Sequence, residues 1–325
     1  MSRARAEEGT TDRETADAPG NTVGPQRGGQ QSERLLRMAT YASVATALTL
    51  IVVKFGAWTM TESVSVLSTL IDSLLDAAAS IVNLLAVRHA LTPPDKEHRF
   101  GHGKAEPLAA LGQATFICGS AAFLLIEAGQ RLLDPLPVRN SAVGIGVMVF
   151  SIVATLLLVI FQRYVIRRTR SLAIQADSLH YVGDLLVNAA VIAAIVLAVQ
   201  FELLIADPLF GIAIAFYILW NAWLIARGAL DMLMDRELPE EDREKIKNIV
   251  REHPQVIGFH DLRTRVSGPK TFIQLHLELD GGLKLTHAHT IAESVEADLV
   301  TAFPDAEVII HQDPHGAEGE VPHYG

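Results

Sequence analysis

Four ionisable residues stand where ionisable residues are costly. Asp72 and Asp76 lie four apart in one apolar run, and His180 and Asp184 lie four apart in another. A spacing of i, i+4 puts both members of a pair on one helix face, so each pair makes a two-pronged clamp. An ionised carboxylate at mid-bilayer costs about 2.5–3.5 kcal/mol even on the mild insertion scale, so three of them demand a compensating partner. A divalent cation supplies one. Three carboxylates and one imidazole suit the tetrahedral N/O coordination that Zn²⁺ accepts, whereas Mg²⁺ prefers an octahedron of oxygens and the imidazole argues against it and against Ca²⁺. Cd²⁺, Fe²⁺ and Co²⁺ stay open, since affinity alone does not select among them. These donors bind metal only when deprotonated, so metal and protons compete, and an imidazole titrates near pH 6.5. The competing account is that buried polar residues fix helix packing.

Two further groups could hold an ion. Asp95, His98 and His102 fall within eight residues of a polar loop, with a plain polar loop as the alternative. Eight of the twelve histidines lie beyond residue 250. There His276 sits on the polar face of an expected strand, His260 in another, and His311-Gln312-Asp313 closes a third, so these could converge with His289; a solvated acidic surface is the alternative. His253, His287 and His323 show no evident partner. Gly144-Ile-Gly146 lacks the strand, third glycine and downstream acid of a dinucleotide loop, and no His-Glu-x-x-His occurs. No nucleophile, general base and open metal position occur together, which argues against an enzyme. The single cysteine, Cys118, leaves neither a disulfide framework nor a Cys-based zinc finger.

The elements that must position these groups follow from composition. Half of the 325 residues are hydrophobic and 20% are charged, with a mean hydropathy of +0.28, and the apolar residues are clumped. Residues 141–162 and 208–226 carry no charge at all, and each can cross a hydrocarbon core that takes roughly 20 helical residues. Six spans are expected at about 35–58, 63–90, 105–132, 141–168, 174–200 and 207–229. Arg34, Arg37, Arg88, Lys96, Arg99, Lys104, Arg163, Arg167, Arg168 and Arg170 flank one side of these spans, against Arg131 and Arg139 on the other. The positive-inside rule then puts both termini in the cytoplasm. Residues 1–32, poor in large apolar side chains, are expected to be a disordered tail.

Beyond about residue 233 the composition becomes that of a soluble domain. Residues 235–325 hold nine Lys/Arg against eighteen Asp/Glu, nearly all of the net charge of −10, and this acidic, His-rich character argues against nucleic acid. A helix starting near Pro239, strands at 256–266, 271–279 and 306–311, and a helix at about 287–302 give the order α-β-β-α-β, an α+β sandwich over residues 233–316 with a C-terminal tail at 317–325. The membrane part is accordingly 33–232.

The motifs Asp72-Ser-Leu-Leu-Asp76, Phe100-Gly-His-Gly-Lys-Ala-Glu106, Ala176-Asp-Ser-Leu-His180-Tyr-Val-Gly-Asp184, His260-Asp-Leu-Arg-Thr-Arg265 and Val308-Ile-Ile-His-Gln-Asp-Pro314 together resemble the cation diffusion facilitator family, near its bacterial zinc and iron exporter branch. The resemblance implies an α-helical membrane protein with six transmembrane helices and a cytoplasmic ferredoxin-like domain. It further implies a homodimer in the inner membrane that exports Zn²⁺ or a related ion by proton antiport with alternating access. It carries the transport site onto Asp72, Asp76, His180 and Asp184, and a second site onto Asp95, His98 and His102. A binuclear site of structural or regulatory Zn²⁺ falls on His260, His276, His289, His311, Gln312 and Asp313. His315 stands at a family cysteine position. An interlock between protomers falls on Lys104 and Asp235, and a hydrophobic gate on Leu179. A membrane-anchored metal sensor or buffer is the rival reading; a pure anchor, however, needs no buried Asp or His.

Overall fold

A computed structural model describes residues 27–61, 64–133, 142–201 and 205–316. Six long helices come first: α1 (Arg27–Thr61), α2 (Val64–Ala90), α3 (Ala105–Leu133), α4 (Ala142–Thr169), α5 (Leu172–Phe201) and α6 (Ala206–Leu233). At 1.5 Å per residue each exceeds the roughly 30 Å of a hydrocarbon core. Among the described residues, α1, α2, α3, α4 and α6 are each long and apolar enough to span a membrane, and α5 has the same length. Their outward faces carry large exposed apolar side chains such as Val52, Phe123, Trp220 and Trp223. In water such a surface would not persist; against lipid it is the expected one. The protein is a multi-pass membrane protein.

The expected N-terminal tail falls mostly outside the described residues, with α1 beginning at Arg27; the C-terminal tail at 317–325 lies wholly outside them.

With no hydrophobic drive between helices in lipid, close packing must come from small residues. α3 packs most extensively on α6, where Ala110, Ala114 and Ala121 of α3 meet Ala222 and Ala229 of α6, all buried. A second seam joins the ends of α1, α2, α4 and α5 through Leu36, Ala39, Val87, Val165, Ala173 and Ile174.

The remainder is α7 (Glu240–Arg251), β1 (Gly258–Ser267), β2 (Lys270–Leu279), α8 (Leu285–Ala302) and β3 (Ala306–Pro314). β1 pairs antiparallel with β2, and β2 pairs parallel with β3 across α8, which is a ferredoxin-like order without its first strand. The expected alternation in β2 is what builds the core. Ile273, Leu275, Leu277 and Leu279 turn to one face and pack on Ile246 and Val250 of α7 and Ile291, Val295 and Leu299 of α8. The other face of β2 begins with the buried Phe272 and continues with Gln274, His276 and Glu278, and there the histidines gather.

Candidate metal sites

α2 and α5 bring Asp76, His180 and Asp184 together, with one ligand atom from each lying within 4.8 Å of the others. His180 Nε2 is 2.9 Å from Asp76 Oδ1 and 3.8 Å from Asp184 Oδ2. The imidazole is nearly enclosed, its side chain 10% exposed, while Asp184 is the most open of the three at 39%. Asp72 does not join this cluster. It lines the same cavity, one helical turn away on α2. The cavity, about 620 Å³, is also lined by Phe116 and Phe123 of α3, Ile218 of α6 and Leu179. Leu179 is buried beside His180 against the α3–α6 seam.

On its other side α5 is held by a buried polar layer. Asp177, fully buried, accepts hydrogen bonds from Ser43 Oγ (2.5 Å), Gln162 Nε2 (2.7 Å) and Gln113 Nε2 (3.3 Å). Tyr181 shares a 2.9 Å hydrogen bond with Ser80 of α2. Glu106, buried at the start of α3, accepts from the Ser171 hydroxyl and from the Ala173 and Leu172 amides, closing the open N–H groups at the start of α5. The helix that carries two of the cluster residues is therefore fixed by α1, α2, α3 and α4.

In the loop between α2 and α3, ligand atoms of Asp95, His98 and His102 again lie within 4.8 Å of one another. Asp95 accepts from the backbone N–H of His98 (2.6 Å) and of Glu97 (2.9 Å). The His98 amide, chiefly, holds this carboxyl below the usual carboxylate range, so it stands ionised. His102 is buried, and the ring of His89 from the end of α2 packs on it at 4.6 Å.

The cluster in the C-terminal domain is a product of strand register. His260 pairs with His276, and His276 pairs with His311, so three imidazoles form one row across the sheet. Asp313 joins all three: its Oδ2 is 2.8 Å from His276 Nδ1 and 3.6 Å from His260 Nε2, and its Oδ1 is 3.2 Å from His311 Nε2. His260, His276 and Asp313 make the third group whose ligand atoms lie within 4.8 Å. Gln312 does not join it, because alternation along β3 puts it on the face opposite His311 and Asp313; its Oε1 is buried without a hydrogen-bond partner. His289 stays apart as well, exposed on α8 and 3.4 Å from Glu293.

The family model of the cation efflux transmembrane domain matches residues 40–234, and that of the cation efflux protein cytoplasmic domain matches residues 238–315. The chain belongs to the cation diffusion facilitator family. It is 51% identical over 279 residues to the cation-efflux pump FieF of Shewanella oneidensis, covering 86% of this chain and 94% of that one. It is 50% identical over 284 residues to that of Serratia proteamaculans, covering 87% and 94%. A solved structure, the metal-bound C-terminal domain of the CzcD transporter from Thermotoga maritima, is 28% identical, covers 24% of this chain and 93% of that one, and gives a TM-score of 0.24. Membership in the cation diffusion facilitators makes this chain a transporter and not an enzyme.

Several residues of this cation diffusion facilitator escaped the sequence reading. Glu278 bridges His260 and His315, with 3.0 Å to each Nδ1, and these two contacts, His260 first, hold its carboxyl below the usual range. Only the register, which sets Glu278 beside Asp313, brings it to the row. Lys54, Asp177 and His89 were missed too. Lys54 and Asp177 gave a signal only as charges interrupting apolar runs, with no ionisable partner at helical spacing that the reading used. Lys104 and Asp235 pair within one protomer at 3.0 Å, and Arg265 lies 3.4 Å from the same carboxylate.

Proposed function

We propose that the chain exports a divalent metal ion, Zn²⁺ foremost, from the cytoplasm in exchange for protons, through a site formed by Asp72, Asp76, His180 and Asp184. The observation that carries this is the meeting of Asp76, His180 and Asp184 at the wall of an open cavity among the spanning helices. Two carboxylates and an imidazole at this depth are stabilised by a bound divalent ion, and Asp72 on the same wall is the fourth donor that a tetrahedral ion takes up. The names of the relatives, cation-efflux pumps, support export as the direction.

Release is the harder half of such a cycle. The donors hold the ion only while deprotonated, so protons arriving from the acidic side displace it. Rocking of the helices around the cavity then presents the cluster to either side in turn. The family of the cytoplasmic domain supports a homodimer and a division near residue 233, and the basic residues flanking one side of the spans support cytoplasmic termini. The loop group of Asp95, His98 and His102 and the row of His260, His276, His311 and Asp313 hold further Zn²⁺ in structural or regulatory roles, with Asp313 placed to bridge two ions. His289 and Gln312 would enter that site only after movement.

The test is zinc flux into proteoliposomes under an imposed pH gradient. Flux that rises with the gradient and is lost in Asp184→Ala is the expected result. Flux unchanged by Asp184→Ala sinks the site, and zinc binding without flux makes the protein a sensor or buffer.

A further inference from the structure

The carboxylates at the cavity face a cation that is part of the chain. Over residues 38–87, 105–130, 142–162, 172–201 and 206–226, the bodies of the six long helices, Lys54 is the only Lys or Arg. Its Nζ donates to the Thr69 carbonyl at 3.0 Å and to the Ser73 hydroxyl at 2.7 Å. Both partners are neutral oxygens on α2. Thr69, Ser73 and Asp76 follow at i, i+4 and i+7 along one stripe of that helix, and Asp72 adjoins Ser73. The charges of Asp76, Asp184 and Asp72 all act on the ammonium. It lies on the side of Asp76 toward the junction of α1 and α2, the end of the bundle away from the cytoplasmic domain.

We propose that Lys54 is a tethered competitor of the transported ion. Its ammonium is the countercharge of Asp72, Asp76 and Asp184 when the metal has left, and it withdraws onto Thr69 and Ser73 when the metal is bound. Protons that displace the metal leave part of the carboxylate charge at this depth, and without a nearby cation that charge would hold the carrier in its loaded form. A lysine suits the task, being a compact point charge on a flexible four-carbon stem that can swing between two sets of oxygens. Repulsion between the ammonium and a bound divalent ion weakens resting affinity. The inference rests on the metal site proposed above and makes Lys54 a positioning residue for the empty state.

A structural tie between α1 and α2 predicts the opposite signs, and this separates the two. Full-length protein in nanodiscs is titrated with Zn²⁺ at fixed pH, and the intramembrane phase is defined as the one that Asp184→Ala removes. Lys54→Met and Lys54→Gln are each expected to lower the Kd of that phase roughly tenfold or more, the order given by a unit charge facing a divalent ion in a partly polar interior. Both should slow proteoliposome flux, and Lys54→Arg should return affinity toward that of the parent. A Kd that is unchanged or raised in both uncharged variants overturns the role of Lys54. If no phase is lost in Asp184→Ala, the proposed site falls, and the role of Lys54 falls with it.

Discussion

Asp177 stands three residues before His180 and sets where α5 can sit. Its two carboxylate oxygens accept from Ser43 of α1, Gln113 of α3 and Gln162 of α4, and nothing about it is open to solvent. A carboxylate suits this place because it only accepts, whereas an amide would turn an NH₂ group toward one of three donors. Asp177→Asn should therefore cost about 1–3 kcal/mol for a buried polar group left unpaired. It should lower the thermal midpoint in detergent more than Ser43→Ala, which leaves two donors in place. Equal midpoints for the two variants would argue against the convergence. Asp72, Asp76, His180 and Asp184 were legible in the sequence because each interrupts an apolar run at a helical spacing from a second ionisable residue. Asp177 interrupts one too, but its partners lie 134, 64 and 15 residues away, and no local spacing reveals them. The separation of Asp72 from the other three was likewise hidden, since i, i+4 fixes a face and not a distance across helices.

Among the helices, the pairing of α3 with α6 decides the width of the cavity. Alanines recur along the meeting face, with Ala110, Ala114 and Ala121 on one side and Ala222 and Ala229 on the other, so the backbones approach closely. Gly211 continues the line, where an added Cβ would lie 3.2 Å from that of Ala128. A larger side chain has no void to enter. Ala222→Leu should destabilise the bundle by about 1–3 kcal/mol through overpacking and reduce flux, because both helices line the cavity. Trp223→Leu, one residue on but facing outward, should leave both nearly unchanged; thermal unfolding and zinc flux on the two variants test the contrast. All six helices could be read from apolar length, though α1 begins earlier than its apolar stretch, at Arg27. Their pairing could not, because a helix in lipid is apolar on every side and its sequence does not mark the buried face. In the cytoplasmic domain the alternation of β2 marked its buried face plainly. The row of His260, His276 and His311 still required the strand order and register.

For the molecule as a whole, the question is how the cytoplasmic domain is tied to the helices that carry the cluster. The tie is the loop between α2 and α3. Its Lys104 donates to the Leu233 carbonyl at the end of α6 and pairs with Asp235, which Arg265 of β1 also approaches. Arg265 in turn covers the rings of Phe100 from the loop and Phe272 from β2. At the centre Gly103 rests on the turn from β1 to β2, so close that a Cβ there would lie 2.3 Å from the Ser267 carbonyl oxygen. Only glycine permits that approach, and the neighbouring Gly268 has the positive φ of 58° that the turn requires. The same loop holds Asp95, His98 and His102, and the next residue after Lys104 begins α3, whose Glu106 secures the start of α5. A metal ion in the loop would thus stiffen a segment that touches both the cytoplasmic domain and the helix bearing His180 and Asp184. Gly103→Val should push the turn away while leaving the intramembrane cluster intact. Hydrogen exchange is expected to rise in residues 95–104 and 264–273, zinc affinity of the intramembrane phase to stay as it was, and flux to fall. Adding Zn²⁺ should slow exchange across both segments in the parent protein, whereas in Gly103→Val the slowing should be confined to the loop. Slowing that still reached residues 264–273 in the variant would mean that the two domains communicate by another route.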